Sequence, residues 1–140
     1  EAAFQVFALL SSKLAFWWWH AHGDGFHVSK HVVETLPVGE AFRCSAFGDE
    51  LTRLGESLWD EVSAAPVVSR NRGRTSFGFS AASSTKRERI DALLVDALGL
   101  DPTFASELQR FCDGVTNAQI ANQTEQDDQR TSTHDLQTLG

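Results

Sequence analysis

Four of the five histidines in the chain lie within twelve residues, together with one aspartate: His20, His22, Asp24, His27 and His31. Imidazole and carboxylate groups are zinc ligands, and His27 and His31 have the four-residue spacing of helical metal pairs. A glycine on either side of Asp24 breaks the segment, however, and the spacing matches no established zinc signature. The pattern therefore favours surface or hydrogen-bonding histidines. No metal ligand is assigned, and a small metal-dependent enzyme that uses the cluster is the least favoured hypothesis.

Other catalytic signatures are missing from the sequence. It has no Gly-x-Ser-x-Gly nucleophile elbow, no Gly-x-x-x-x-Gly-Lys phosphate loop and no dinucleotide-binding glycine pattern. The two cysteines, Cys44 and Cys112, exclude a disulfide-rich scaffold and a four-cysteine zinc site. Cys44 has no diagnostic context, so we expect it to be buried and inert. No residue is assigned a catalytic role.

Charge is distributed unevenly along the chain. Its formal net charge is −7, yet six of its 12 lysine and arginine residues lie in residues 66–90 against a single acid, Glu88. Contact with a phosphate backbone depends on local charge density, so the acidic total does not exclude nucleic acid as a partner. A solvated basic loop is the alternative interpretation of the charge alone. The block contains five candidate contacts, Arg70, Arg72, Arg74, Lys86 and Arg87, and its sixth basic residue is Arg89.

Apolar periodicity predicts two long helices. The first runs from Phe4 to His20 and includes Trp17-Trp18-Trp19. Consecutive helical residues point about 100° apart, so packing is favoured over a base-stacking surface for these tryptophans, with one of them facing a partner. The second helix is capped near Asp49, is stopped by Pro66, and has an apolar stripe at steps of three and four: Phe47, Leu51, Leu54, Leu58 and Val62.

Shorter elements lie between and after these helices. Residues 26–28 are predicted to form a short strand, and Ser29 is predicted to cap a helix over Lys30 to Thr35. Two β-prone stretches flank the glycine-containing basic segment 69–74, which predicts a hairpin. Arg70, Arg72 and Arg74 alternate along it and are expected to project toward one DNA backbone strand.

Two helices are predicted after the hairpin. Thr85 and Glu88 match a capping box at the start of one helix, and Gly99 is its expected end. Lys86, Arg87 and Arg89 lie in its first turn, where cations oppose the helix dipole at a cost of about 0.3–1 kcal/mol each and a bound anion would relieve the conflict. Asp101 and Pro102 begin the other helix.

The elements together predict a mostly helical α+β domain with a short basic β-hairpin and a disordered C-terminal tail. Residues 1–113 form the domain, and the tail is 114–140, where Gln, Asn, Thr and Asp dominate. The chain has no methionine, and Glu1-Ala2-Ala3-Phe4 is predicted inside a helix, so we expect a fragment from the downstream end of a longer protein. No apolar run is long enough for a membrane span and no signal peptide is recognised, which favours the cytoplasm and argues against a membrane partner.

Several of these stretches resemble one known family. They are the segment Ala8-Leu9-Leu10-Ser11-Ser12-Lys13-Leu14-Ala15-Phe16-Trp17-Trp18-Trp19, the turn Gly23-Asp24-Gly25-Phe26-His27-Val28-Ser29-Lys30, the pair Leu36-Pro37, the segment Asn71-Arg72-Gly73, and the helix from Ile90 to Gly99-Leu100. Over about residues 5–112 the chain resembles the C-terminal, target-recognition region of adenine-specific DNA methyltransferases of Type II and Type IIG restriction–modification systems. It departs from the pattern at Ser11, where the family more often has asparagine.

The resemblance implies a non-catalytic segment that recognises or holds double-stranded DNA. The family's catalytic Asn-Pro-Pro-Tyr signature and its glycine-rich S-adenosylmethionine loop are not in this sequence. Methyl transfer and cofactor binding would therefore take place in upstream domains of the parent enzyme, which are the second expected partner. The resemblance adds His27 and Lys30 to the candidate DNA contacts. The main alternative is a protein-interaction module whose aromatic segment docks on those upstream domains, with the basic block incidental.

Overall fold

The computed structural model of the chain describes residues 2–24, 27–39, 45–71, 73–80, 84–118 and 121. Its elements in chain order are α1 (Ala2–Ser11), α2 (Lys13–His22), α3 (Lys30–Glu34), α4 (Ser45–Ala64), β1 (Val67–Asn71), β2 (Arg74–Gly78) and α5 (Thr85–Ala97). A further helix, α6, covers residues 103–118. The chain is thus a mostly helical α+β domain with one antiparallel hairpin, as the sequence predicts. None of the helices within the described residues combines the length and apolarity needed to cross a membrane.

Helix α4 is the centre of the core. Its predicted stripe, from Phe47 to Val62, is buried along its whole length, and Leu51 and Leu58 are fully inaccessible. The helix begins at Ser45, so the predicted cap at Asp49 is wrong. Apolar side chains of the other helices complete the core: Ala8, Leu9, Leu14, Ala15, Ile90, Leu94 and Leu108.

One glycine allows α1 to pack closely on α4. A Cβ at Gly55 would lie 2.1 Å from the carbonyl oxygen of Phe4 and 3.2 Å from the Cβ of Ala8. The backbone of α1 therefore crosses α4 at a distance that no larger residue permits. The side-chain amide of Gln5 adds a hydrogen bond of 3.1 Å to the carbonyl oxygen of Gly48.

The first predicted helix is interrupted at Ser12. This residue has extended backbone angles and is the N-cap of α2, with its hydroxyl accepting from the backbone N–H of Ala15 and donating to the carbonyl oxygen of Leu9. A single helix from residue 4 to 20 is therefore wrong. Apolar periodicity continues across the break because both helices bury one face, so the pattern carries no sign of it.

Several other expectations concern short elements. Ser29 caps α3, as predicted. His27 and Val28 are not in a strand, so that prediction is wrong for them, and Phe26 lies outside the described residues. Ser84, not Thr85, is the N-cap of α5, and its hydroxyl accepts from the N–H of Lys86 at 3.2 Å.

The helix ends near the C-terminus follow the sequence closely. Gly99 has φ +63°, and its N–H donates to the carbonyl oxygen of Asp96. The N–H of Leu100 donates to the carbonyl oxygen of Val95, which completes a Schellman motif. The carboxylate of Asp101 accepts from the N–H of Thr103 and begins α6.

Of the predicted tail, residues 114–118 continue α6 and residue 121 is helical; the rest lies outside the described residues.

Candidate nucleic-acid interface

The hairpin that carries the arginines is short and exposed. Its last pair is Asn71 with Arg74, and Gly73 lies in the turn between the strands. Gly73 has φ +77°, a left-handed conformation that glycine adopts without steric cost. Every residue of β2 is exposed to solvent. Arg72 lies outside the described residues.

The strand register separates the two described arginines. Arg70 pairs with Thr75, and Arg74 pairs with Asn71, which is the adjacent pair of the ladder. Residues directly opposite each other share a face, and successive pairs alternate between faces. Arg70 and Arg74 therefore lie on opposite faces, so the expectation that the arginines project toward one backbone strand is wrong for these two. Alternation along the sequence does not carry across the turn, because the chain changes strand there.

Both arginines are available to a partner. Their side chains are exposed, and neither forms an ion pair or side-chain hydrogen bond with another residue in the described part of the chain. A guanidinium carries five N–H donors in a planar fork that matches phosphate oxygens and the O6 and N7 acceptors of guanine. The hairpin therefore presents unused donors on each of its faces.

Lys86 is held by a neighbouring helix. Its Nζ lies 2.6 Å from Oε2 of Glu61 on α4, and both side chains are partly exposed. The hydrogen bond from Lys86, aided by one from Ser84, lowers the pKa of Glu61. The lysine thus has an anionic partner within the chain, which accounts for a cation in the first turn of α5 without any ligand.

Arg87 also has a structural contact. Its Nε donates to the carbonyl oxygen of Ser11 at 2.7 Å. Ser11 is the last residue of α1, and the C-terminal end of a helix is the place where its dipole favours a cation. The unfavourable position of Arg87 in α5 is therefore offset by a favourable one against α1.

The turn after α2 holds the other two candidate contacts. The carboxylate of Asp24 accepts from both the backbone N–H and Nδ1 of His27, at 2.8 and 2.9 Å. The indole N–H of Trp19 donates to the carbonyl oxygen of His27, so the turn is fastened to α2. Lys30 forms an exposed ion pair of 3.4 Å with Glu34. Both candidates reach solvent, but each is already paired with an acid.

The remaining histidines have separate surroundings. His20 packs among the rings of Phe16, Trp19 and Phe111. The ring of His22 stacks on Trp18 with a centroid separation of 3.7 Å. Among the residues that the structure describes, no group of three or more His, Cys, Asp or Glu side chains is close enough to hold a metal ion.

The three consecutive tryptophans are used for packing. Trp17 makes an edge contact with Phe104 of α6, with ring centroids 5.6 Å apart, and both Trp17 and Trp18 lie against the core. Trp19 fastens the turn, as described above. All three are half-buried, which supports packing over a stacking surface, as the 100° spacing predicts.

An apolar groove runs beside the turn. Its volume is about 350 Å³, and Arg87 and Ser12 are the polar residues among those lining it. The apolar lining includes Leu10, Phe16, Trp19, Val28, Val32 and Leu36. Leu10 and Val28 are 44% and 67% exposed, so this groove is open to a partner.

Cys112, the cysteine within the described residues, adds no reactive group. Cys112 is buried, and its burial raises the pKa of the thiol, which keeps it protonated and unreactive. Cys44 lies outside the described residues.

Comparisons with protein-family models, with curated proteins and with solved structures found no match to this chain. The resemblance to adenine-specific methyltransferases is untested by them and stays a hypothesis.

Proposed function

We propose that this chain is a non-catalytic DNA-binding segment, the target-recognition part of a restriction–modification adenine-specific DNA methyltransferase. The observation that carries the proposal is the exposed hairpin, whose Arg70 and Arg74 have no partner among the described residues. Methyl transfer, with S-adenosylmethionine, belongs to upstream domains of the parent enzyme. The protein would act in the cytoplasm of a cell that keeps its DNA there.

The shape of the hairpin suits duplex DNA. The major groove admits a two-stranded β-ribbon, and arginine is the side chain that most often reads guanine there. Lys86 and Arg87 are tethered to Glu61 and Ser11, so we place the primary contact on the hairpin. His27 and Lys30 form a secondary candidate surface.

The isolated chain should bind weakly. A few arginine contacts release few counterions, and the acidic helices around the hairpin repel the DNA backbone. Upstream domains of the parent would supply further contacts, so this segment contributes orientation and selectivity more than affinity.

The apolar groove favours a second candidate function, docking on another protein surface. Its exposed rim at Leu10 and Val28 is of the kind that a partner helix or loop covers. In that case the hairpin arginines are incidental, and the segment is a structural module of the parent enzyme.

Binding of a fluorescently labelled duplex, followed by anisotropy at low salt, separates the two functions. The Arg70→Glu variant should weaken binding and the Arg70→Glu/Arg74→Glu variant should lose it, whereas Arg110→Glu, the same change of charge as Arg70→Glu but on exposed α6, should retain most of it. A Leu10→Asp variant, which changes the rim of the groove away from His27 and Lys30, should leave DNA binding unchanged and should matter only for docking. Binding that survives the hairpin reversal, or that falls equally in the Arg110 control, contradicts the proposed function.

A further inference from the structure

The two faces of the hairpin differ in chemistry. Val68 pairs with Phe77 and Arg70 pairs with Thr75, and these alternate pairs share one face. We call this the Phe77 face. The other face carries Ser69, Ser76 and Arg74. The hydroxyl of Ser76 donates to the carbonyl oxygen of Ser69 at 3.4 Å.

Phe77 is unusually exposed for its size. Its accessible fraction is 70%, the highest among the exposed large hydrophobic side chains of the described residues. Phe79, two residues further along, makes a ring contact with Trp59 of α4 at a centroid separation of 5.2 Å. Phe79 therefore attaches the hairpin to the helices, whereas Phe77 has no ring contact with any described residue.

The neighbours of Phe77 indicate what would cover it. An exposed aromatic ring on a sheet, with an arginine beside it, is the arrangement that stacks a nucleic-acid base and neutralises its phosphate. Arg70 is the diagonal neighbour of Phe77 on the same face, and no acid is among the residues of either strand. An apolar protein partner would need no cation here, and a second copy of the chain would bring arginines against arginines.

A base within a regular duplex cannot stack on a side chain, because both of its faces are covered by its neighbours. We propose that the Phe77 face binds an unpaired base, so that the preferred ligand of the hairpin is DNA with a single-stranded stretch. This inference rests on the proposed function, since it assigns the structure of the DNA that the same hairpin binds. Arg74, on the opposite face, then contributes charge without contacting that base.

Three oligonucleotides of one sequence test the proposal: a full duplex, the same duplex with a central unpaired loop, and the single strand. Base–aromatic stacking contributes about 1–3 kcal/mol per base, so the looped or single-stranded ligand should bind about fivefold or more tightly than the full duplex. Phe77→Leu, which keeps an apolar side chain without the ring, should abolish this preference. Phe77→Trp should increase it.

Two controls make the outcomes distinct. Val67→Ala removes an exposed apolar side chain from the opposite face and should keep the preference, and urea unfolding should show that all three variants fold equally well. Equal binding of all three oligonucleotides, unaffected by Phe77→Leu but lost in the Arg70→Glu/Arg74→Glu variant, overturns this inference and leaves the proposed function standing. Binding to none of them overturns both.

Discussion

The backbone N–H of Lys13 donates to Oδ1 of Asp91 at 2.7 Å, and Nζ of the same lysine lies 3.6 Å from Oδ2. Both residues are buried, at 7% and 4% exposure. The carboxylate thus satisfies a backbone donor in the first turn of α2, one that no intrahelical acceptor can reach. Together, the Asp91 carboxylate and the hydrogen bond from Arg87 to Ser11 hold the break between α1 and α2 against α5. Because α5 follows the hairpin closely in sequence, these contacts limit the positions open to the hairpin.

Replacing Asp91 should destabilise the fold strongly. Asp91→Ala leaves the ammonium of Lys13 buried without its carboxylate, and loss of one partner of a buried ion pair costs roughly 3–5 kcal/mol. Asp96→Ala on the same helix removes an exposed carboxylate and should change the free energy of unfolding by less than about 0.5 kcal/mol. Urea unfolding of both variants measures the difference. Similar stabilities would show that the buried pair is dispensable.

Asp91 should also titrate above its ordinary pKa. Burial of the carboxyl raises the pKa from 3.8, opposed by the hydrogen bond from the backbone of Lys13 and by the nearby charges of Lys13 and Arg87. A carboxyl with a raised pKa in the folded state contributes stability that is fully present below the unfolded value of 3.8 and is lost as the pH rises through the folded pKa. Carboxyl ¹³C NMR should give a pKa above 3.8 for Asp91, and the Asp91→Asn variant should lack this component of the pH dependence. A folded-state pKa below 3.8 would mean that the ion pair outweighs burial.

Gly55 should tolerate no side chain. Gly55→Ala places a Cβ 2.1 Å from the carbonyl oxygen of Phe4, so α1 must move away from α4, at a cost of about 1–3 kcal/mol despite the better helix propensity of alanine. Gly48→Ala, on the same helix, meets only the flexible side chain of Gln5 at 3.2 Å. It should be neutral or slightly stabilising. Thermal unfolding compares the two, and equal melting temperatures would show that the helices are not in close contact at Gly55.

Phe79 should anchor the hairpin. Phe79→Ala removes the ring contact with Trp59, so amide hydrogen exchange in β1 and β2 should accelerate while exchange in α4 is unchanged. The matched change Phe77→Ala removes a more exposed ring two residues earlier, within β2, and should have a smaller effect on exchange. Equal acceleration in both variants would place the anchor elsewhere.

The sequence was most informative where one element determines its own structure. The α4 stripe, the Ser29 cap, the Gly99 stop and the hairpin each depend on residues a few positions apart, and all four are present. The break at Ser12 is different. Its hydroxyl forms local hydrogen bonds, but the α5 residues that bind the two sides of the break are distant in sequence. Arg87 is 76 residues from Ser11, and Asp91 is 78 residues from Lys13.

In the candidate site too, the local features could be predicted from the sequence and the others could not. That Arg70 and Arg74 lie on a hairpin could be predicted from β-prone residues around a glycine. Their opposite faces could not, because the faces follow from the register at the turn. The ion pair between Lys86 and Glu61 could not be predicted either, because the two residues belong to different helices and no regular spacing in the sequence relates them.

A ¹H–¹⁵N NMR titration of the chain with an unlabelled DNA duplex at low salt tests most directly whether the hairpin contacts DNA. If it does, the largest shift changes should fall on amides of residues 67–78, with small changes at His27 and Lys30 and none along α4. Changes centred on the groove residues Leu10 and Val28, or no changes at any residue, would contradict the assignment of the hairpin as the DNA contact.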